Sequence, residues 1–212
     1  MTTRRADERT PVVPLEAGAG PQNPPCPACG EPLFGWIEER PGLAGPVRRC
    51  ESCGLGAVGG AGGVEEALRE LDRLGDDRGV RIANRGGLSA SLGDAGWAGL
   101  ERGSRYLFTP EAVRRLVAHR DQVVKSARWS PGRGLALMWQ TILNAFTFGR
   151  NGALARFGRA TAVPAPATWQ RRLDAAISIA AALPALLVAI PLELAGAALG
   201  RGSAITVTLE LL

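Results

Sequence analysis

The sequence predicts an α+β or α/β fold: a small cysteine-rich module, then a sheet-bearing region interrupted by an apolar helical insert. Three observations predict it. All four cysteines fall in two CxxC pairs within residues 26–53, short apolar runs alternate with Gly and Pro punctuation, and residues 175–192 carry no charge. With 28 Gly and 15 Pro in 212 residues, regular elements must be short, which excludes a long idealised helical bundle. A composition 46% hydrophobic and 21% charged excludes a wholly disordered or collagen-like chain.

Residues 1–22 form a Pro/Gly/Ala-rich tail with no packable pattern, expected to be disordered. Its charges Arg4, Arg5, Asp7, Glu8 and Arg9 precede no apolar run, so no export signal is expected and the cysteines are placed in a reducing cytoplasmic compartment. Residues 23–58 then hold Cys26-Pro-Ala-Cys29-Gly30 and Cys50-Glu-Ser-Cys53-Gly54, two knuckles separated by 20 residues. Two thiolates in one tight turn chelate a single ion, and a glycine after each second cysteine lets the backbone fold back. The spacing predicts a structural zinc ion on Cys26, Cys29, Cys50 and Cys53, because four thiolates leave no open position for substrate. A redox dithiol or a site that has lost its metal are the alternatives. Between the knuckles, Leu33, Phe34, Trp36 and Ile37, a Pro41-Gly42 turn and Val47-Arg48-Arg49 fit the hairpin of a zinc ribbon. Arg40, Arg48 and Arg49 are interleaved with Glu31, Glu38, Glu39 and Glu51, so this ribbon reads as a cap on its neighbour and not as a basic nucleic-acid face.

Residues 59–79 are read as a Gly-rich linker and a helix. Val64, Leu68, Leu71 and Leu74 fall on one stripe at helical spacing. The preceding glycines 59, 60, 62 and 63 could cradle a phosphate, but the helix opens on the acidic pair Glu65 and Glu66, and the linker reading is preferred. Within residues 80–174, a short strand over 80–83 is followed by a Gly-rich loop over 84–103 around Trp97. Thr109 and Pro110 open a helix as N-cap and first helical residue, with Val113, Leu116 and Val117 on its buried face. His119, the only histidine, ends that helix without a carboxylate partner nearby and is assigned no role. Val123 and Val124 open a second strand, and residues 135–148 form an apolar helix.

Residues 175–200 form an apolar helical hairpin or a membrane-associated segment, with Pro184 and Pro191 expected to break it into pieces too short for a straight span. Residues 201–212 supply a final strand, where Ile205, Val207 and Leu209 alternate with Thr206 and Thr208. That strand needs a sheet, so the segment before it is expected to return to the side it left, as a monotopic insertion or a buried hairpin. Positive charge is concentrated just upstream: residues 101–174 hold 13 Arg or Lys against 4 Asp or Glu, in a chain of net charge +5. Such a field suits phosphate groups, on an anionic membrane surface or on nucleic acid.

Several segments then resemble a known family. Arg81-Ile82-Ala83-Asn84, residues 89–93, Gly96-Trp97-Ala98-Gly99-Leu100 and the run from Tyr106-Leu107-Phe108-Thr109-Pro110-Glu111 to Leu116 resemble the back half of class I S-adenosylmethionine-dependent methyltransferases. Met138-Trp139-Gln140-Thr141, Asn144 and Pro191-Leu192-Glu193-Leu194 are similar to bacterial members with an apolar insert before the last strand, some of which begin with a similar pair of CxxC knuckles. The resemblance implies half of a Rossmann-like, doubly wound sheet. The family's donor site lies in the other half, after the first strand and at the end of the second. Only about 26 residues separate Cys53 from Val80, too few for three strand and helix units of roughly 30 residues each.

The expected function is therefore that of a degenerate, non-catalytic methyltransferase-like zinc-ribbon protein that does not bind S-adenosylmethionine. No catalytic or donor-binding residue is assigned, and Asn84 and Tyr106 are expected to be structural. Its expected setting is the inner face of the cell membrane, contacted through residues 171–200, as an accessory subunit to a complete methyltransferase or a glycan enzyme. One alternative is an active small methyltransferase with a reduced donor loop at residues 59–63. The other is a zinc-ribbon adaptor that binds protein, or nucleic acid through residues 101–174.

Overall fold

The computed structural model describes residues 23–38, 43–60, 62–77, 79–100, 103–158, 160 and 162–212. The expected tail at 1–22, the Pro41-Gly42 turn, and Glu39 and Arg40 lie outside the described residues. In chain order come strands β1 (Leu33–Ile37), β2 (Val47–Cys50) and β3 (Gly56–Val58), helix α1 (Val64–Arg73), strands β4 (Gly75–Asp76) and β5 (Gly79–Ala83), and the short helix α2 (Leu88–Gly93). Strand β6 (Tyr106–Leu107), helix α3 (Pro110–Val117), strand β7 (Gln122–Trp129) and helices α4 (Pro131–Asn144) and α5 (Gly152–Arg156) follow. Helices α6 (Thr168–Ala180) and α7 (Ala182–Ala198) and strand β8 (Ala204–Leu211) complete the mixed α+β fold.

Two four-stranded sheets result, ordered β1-β2-β3-β6 and β4-β5-β8-β7, and every neighbouring pair among the described residues is antiparallel. The first sheet is the cysteine-rich hairpin extended by β3, which pairs in turn with β6 of the following region. In the second sheet the alternating segment β8 lies between β5 and β7, with Val80 opposite Val207 and Gln122 opposite Leu211. The two strands that flank β8, β5 and β7, run antiparallel to it and therefore in the same direction as each other. Gly79, at φ +118°, permits the tightest approach, because a Cβ there would lie 2.5 Å from the Val207 carbonyl oxygen.

One core joins the two sheets. Cys26, Cys50, Cys53 and Leu55 of the knuckles pack in a single buried cluster with Leu68 and Leu71 of α1, Ile82 of β5, Phe108, Val113 and Leu116 around α3, and Val207 of β8. Each fully buried Leu, Ile, Val or Phe contributes about 1.5–3 kcal/mol of transfer free energy, so the shared cluster ties the knuckles to the sheet behind them.

Three local expectations differ from what the chain does. Residues 84–103 are not a loop throughout: Ser89 and Ala90 bury one side of α2, and buried Trp97 donates from Nε1 to Ser89 Oγ at 3.1 Å. The helix expected at 135–148 occupies Pro131–Asn144. Pro131 opens it, and its last residue, Asn144, donates from its side chain to the Gly96 carbonyl at 2.9 Å. Pro191 lies inside α7 without ending it, whereas the break falls at Ala181. The Pro184 ring collides with a helical carbonyl at Ala180, four residues back, which stops α6 there. In the first turn of α7 its missing N–H costs nothing.

Candidate metal centre

The knuckles are built alike. Gly30 and Cys29 donate backbone N–H bonds to the Cys26 carbonyl, at 2.8 and 3.3 Å, and Gly54 donates to the Cys50 carbonyl at 3.0 Å. Gly30 and Gly54 sit at φ +79° and +75°, the left-handed conformation that turns each chain back after its second cysteine. Cys26 donates to the Glu31 carbonyl at 2.7 Å, and Cys50 to that of Leu55 at 2.8 Å, which clamps each loop at its base.

The four sulfur atoms lie within 4.8 Å of one another. Cys26 and Cys53 are 3.5 Å apart, Cys29 and Cys50 3.4 Å, and Cys29 and Cys53 3.7 Å. A tetrahedral ion with metal–sulfur bonds of about 2.3 Å sets its ligands about 3.8 Å apart, so the cluster can hold one metal ion. Cys26, Cys50 and Cys53 are buried and Cys29 is partly so. Hydrogen bonding to Cys26 and then burial push the Cys53 thiol up, and burial raises that of Cys29. Both causes oppose an uncompensated thiolate at Cys53 and Cys29, and a bound cation would supply the compensating charge.

Thr109 joins this centre to the rest of the chain. Its hydroxyl donates to the Cys53 carbonyl at 2.6 Å and accepts from Ala112 N at 3.0 Å, so one side chain both caps α3 and holds the second knuckle. Arg115, one turn further along α3, donates to Ser52 Oγ at 3.1 Å.

The other singled-out residues serve the fold. Asn84 donates to the Gly202 carbonyl at 2.9 Å and accepts from Gly86 N at 3.0 Å. Tyr106 OH donates to Glu66 Oε2 at 3.4 Å, and burial, followed by the Glu66 charge, raises its pKa. His119 is exposed in the turn after α3. Gly59 closes against residues 44–46, donating to the Pro46 carbonyl at 2.9 Å, and Glu65 and Glu66 occupy the first turn of α1; Ala61, between the glycines, lies outside the described residues. Part of the basic stretch is paired with acids at the surface: Arg105 with Glu66, Arg114 and Arg115 with Glu111, Arg120 with Asp72, and Lys125 with Glu210.

Two interactions escaped the sequence reading. Arg85 stacks 4.4 Å from the Trp36 ring centroid, and Trp36 Nε1 donates to Asp94 at 2.8 Å. Glu193 is buried and accepts from Trp129 Nε1 at 2.8 Å, from Ser203 N at 2.9 Å and from Ser203 Oγ. The available signal was a lone acid in an apolar run, which looks like the end of that run.

Among the described residues no single helix is long and apolar enough to cross a bilayer; α6 and α7 reach that length and apolarity only as a pair, bent by 61°. No family model matches this chain, and no curated protein or solved structure matches it either.

Proposed function

We propose that this chain is a non-catalytic, methyltransferase-like protein, held together by a structural zinc ion and acting as an accessory subunit to a complete methyltransferase or glycan enzyme. The placement of the family-like segments carries the reading, beside a sheet in which β5 and β7 share one direction and β8 pairs antiparallel with both. Those segments fall on β5 of the second sheet, on α2 and α3, and on β6, which pairs into the first sheet. Beyond β5 the sheet ends at the two-residue strand β4. Open α/β sheets bind ligands at a switch point between their two halves, and among the described residues no strand beyond β4 extends this sheet toward the donor-binding front half.

The four thiolates fit zinc in number, softness and spacing, and the bound ion supplies cross-linking of the two knuckles, with no open position for chemistry. The pairing of Arg105, Arg114, Arg115, Arg120 and Lys125 with acids disfavours a continuous nucleic-acid face.

Titration calorimetry with S-adenosylmethionine, beside metal analysis of protein purified without added zinc, tests the reading. The expected result is no saturable donor binding and close to one zinc per chain. A dissociation constant tighter than about 100 μM would establish a working donor site and restore the small-enzyme alternative.

A further inference from the structure

Helix α7 is apolar nearly all round, and it exposes bulky side chains that a helix on a protein surface in water would bury. Its buried positions, Ala185, Ala189, Glu193 and Gly196, follow one another at intervals of three or four residues and are small or charged. Its outer face carries Leu183, Leu187 and Leu194, which are 65%, 63% and 53% exposed, together with Val188 and Ile190. Surface helices of soluble proteins bury the apolar stripe and expose the polar one. Here the small inner residues bring α7 close to the body: a Cβ on Gly196 would lie 3.2 Å from Leu88, and Trp139 Nε1 donates to the Ala182 carbonyl at 2.8 Å. The only charged side chain in residues 175–200 is Glu193, and it is turned inward onto Trp129 and Ser203.

The apolar surface continues across the bend. On α6, Trp169, Leu173, Ala176 and Ala180 are exposed along one stripe, and Trp169 stands edge-on to exposed Phe148 at 5.6 Å. Positive charge rims it. Arg172 is exposed on the same side of α6, and on the other face of that helix exposed Arg156, followed by exposed Phe157, lines a cleft of about 200 Å³ together with Arg171 and Asp174.

We propose that the outer face of α6 and α7 docks on an anionic phospholipid surface, seating bulky apolar side chains among the acyl chains and the arginines among the headgroup phosphates. An aromatic residue at the edge, apolar residues at the centre and arginine at the rim are the composition of a helix lying in the membrane interface. A second copy of the chain would cover the apolar side chains but would offer Arg172 no anionic partner that the exposed face itself carries. The segment enters and leaves on one side. Strand β7 before the pair and strand β8 after it are hydrogen-bonded in one sheet, so the helices dip into the surface and return. This inference does not depend on the methyltransferase likeness, and its test contains neither donor nor metal.

Co-sedimentation of the full chain with vesicles of phosphatidylcholine, and of phosphatidylcholine mixed with phosphatidylglycerol, tests it. Binding to the anionic vesicles is expected to exceed that to the neutral ones by about tenfold or more, and to fall as salt shortens the screening length below about 5 Å. The double variant Leu187→Glu, Leu194→Glu alters exposed side chains only, so zinc content and circular dichroism should stay as in the parent protein while vesicle binding drops at least about tenfold. Arg156→Glu with Arg172→Glu should remove the preference for anionic vesicles. Failure of the parent protein to bind either vesicle overturns the proposal, as does unchanged binding by the leucine variant. Self-association without lipid that Leu187→Glu abolishes also overturns it, and assigns the face to a second copy.

Discussion

Gly30 and Gly54 have nearly the same backbone conformation and very different surroundings. Nothing lies within 4 Å of a Cβ added at Gly30, whereas one at Gly54 would stand 2.8 Å from Thr109 Cγ2. Gly30→Ala is expected to cost only the left-handed penalty, about 1 kcal/mol, and Gly54→Ala about 3 kcal/mol because α3 must also move. Denaturant unfolding of the two metal-loaded variants measures the difference. Cys50→Ser should lower bound zinc below about 0.2 per chain, read by metal analysis of purified protein. Glu193→Ala leaves the donors of Trp129 and Ser203 without their acceptor in a buried site and should cost about 3 kcal/mol in the same unfolding assay. The cysteines were legible because their chemistry is carried by spacing within each turn. Glu193 was not, because its meaning depends on Trp129, 64 residues away, and a local pattern holds no such information.

Elements with a local signature were the ones the sequence disclosed. Helix α3 starts where Thr109 and Pro110 place it, and β8 alternates in burial as its Ile, Val and Thr residues require. Thr109→Ala removes both the cap and the bond to the second knuckle and is expected to cost about 2 kcal/mol, while Thr109→Ser should recover most of it; thermal melting of the pair decides this. Elements defined by distant packing were hidden. Helix α2 follows a glycine and has no side-chain cap, and it exists because Trp97 and α4 cover it. The two prolines of α7 looked equivalent in sequence. Their effects differ because Pro184 falls within the first turn of α7, where its N–H is not needed, and Pro191 within a helix whose buried face already fixes its course.

At the scale of the molecule, the shared core would make a metal bound by the four cysteines a support for both sheets. Chelation is expected to lower the melting temperature by more than about 10 °C, with Trp97 and Trp129 fluorescence and far-ultraviolet circular dichroism moving in one transition. Two separated transitions would mean that the knuckles melt alone. The two-sheet arrangement could not be read from the sequence, since β3 and β6 are three and two residues long and acquire their identity only by pairing, β3 with β2 and β6, and β6 with β3.

The central place of β8 also sets an order of events during synthesis. Strands β5 and β7 leave the ribosome with no shared neighbour, and about 75 further residues must follow Trp129 before β8 can fill the gap. At the usual elongation rates of about 5–20 residues per second, both edges wait for roughly 4–15 s, during which they are open to wrong partners. The apolar pair α6–α7 emerges within that interval. A nascent chain whose helices had settled on lipid would be tethered while its sheet was unfinished, so slowing translation between residues 130 and 203 should lower the yield of folded protein more than an equal pause before Gly79.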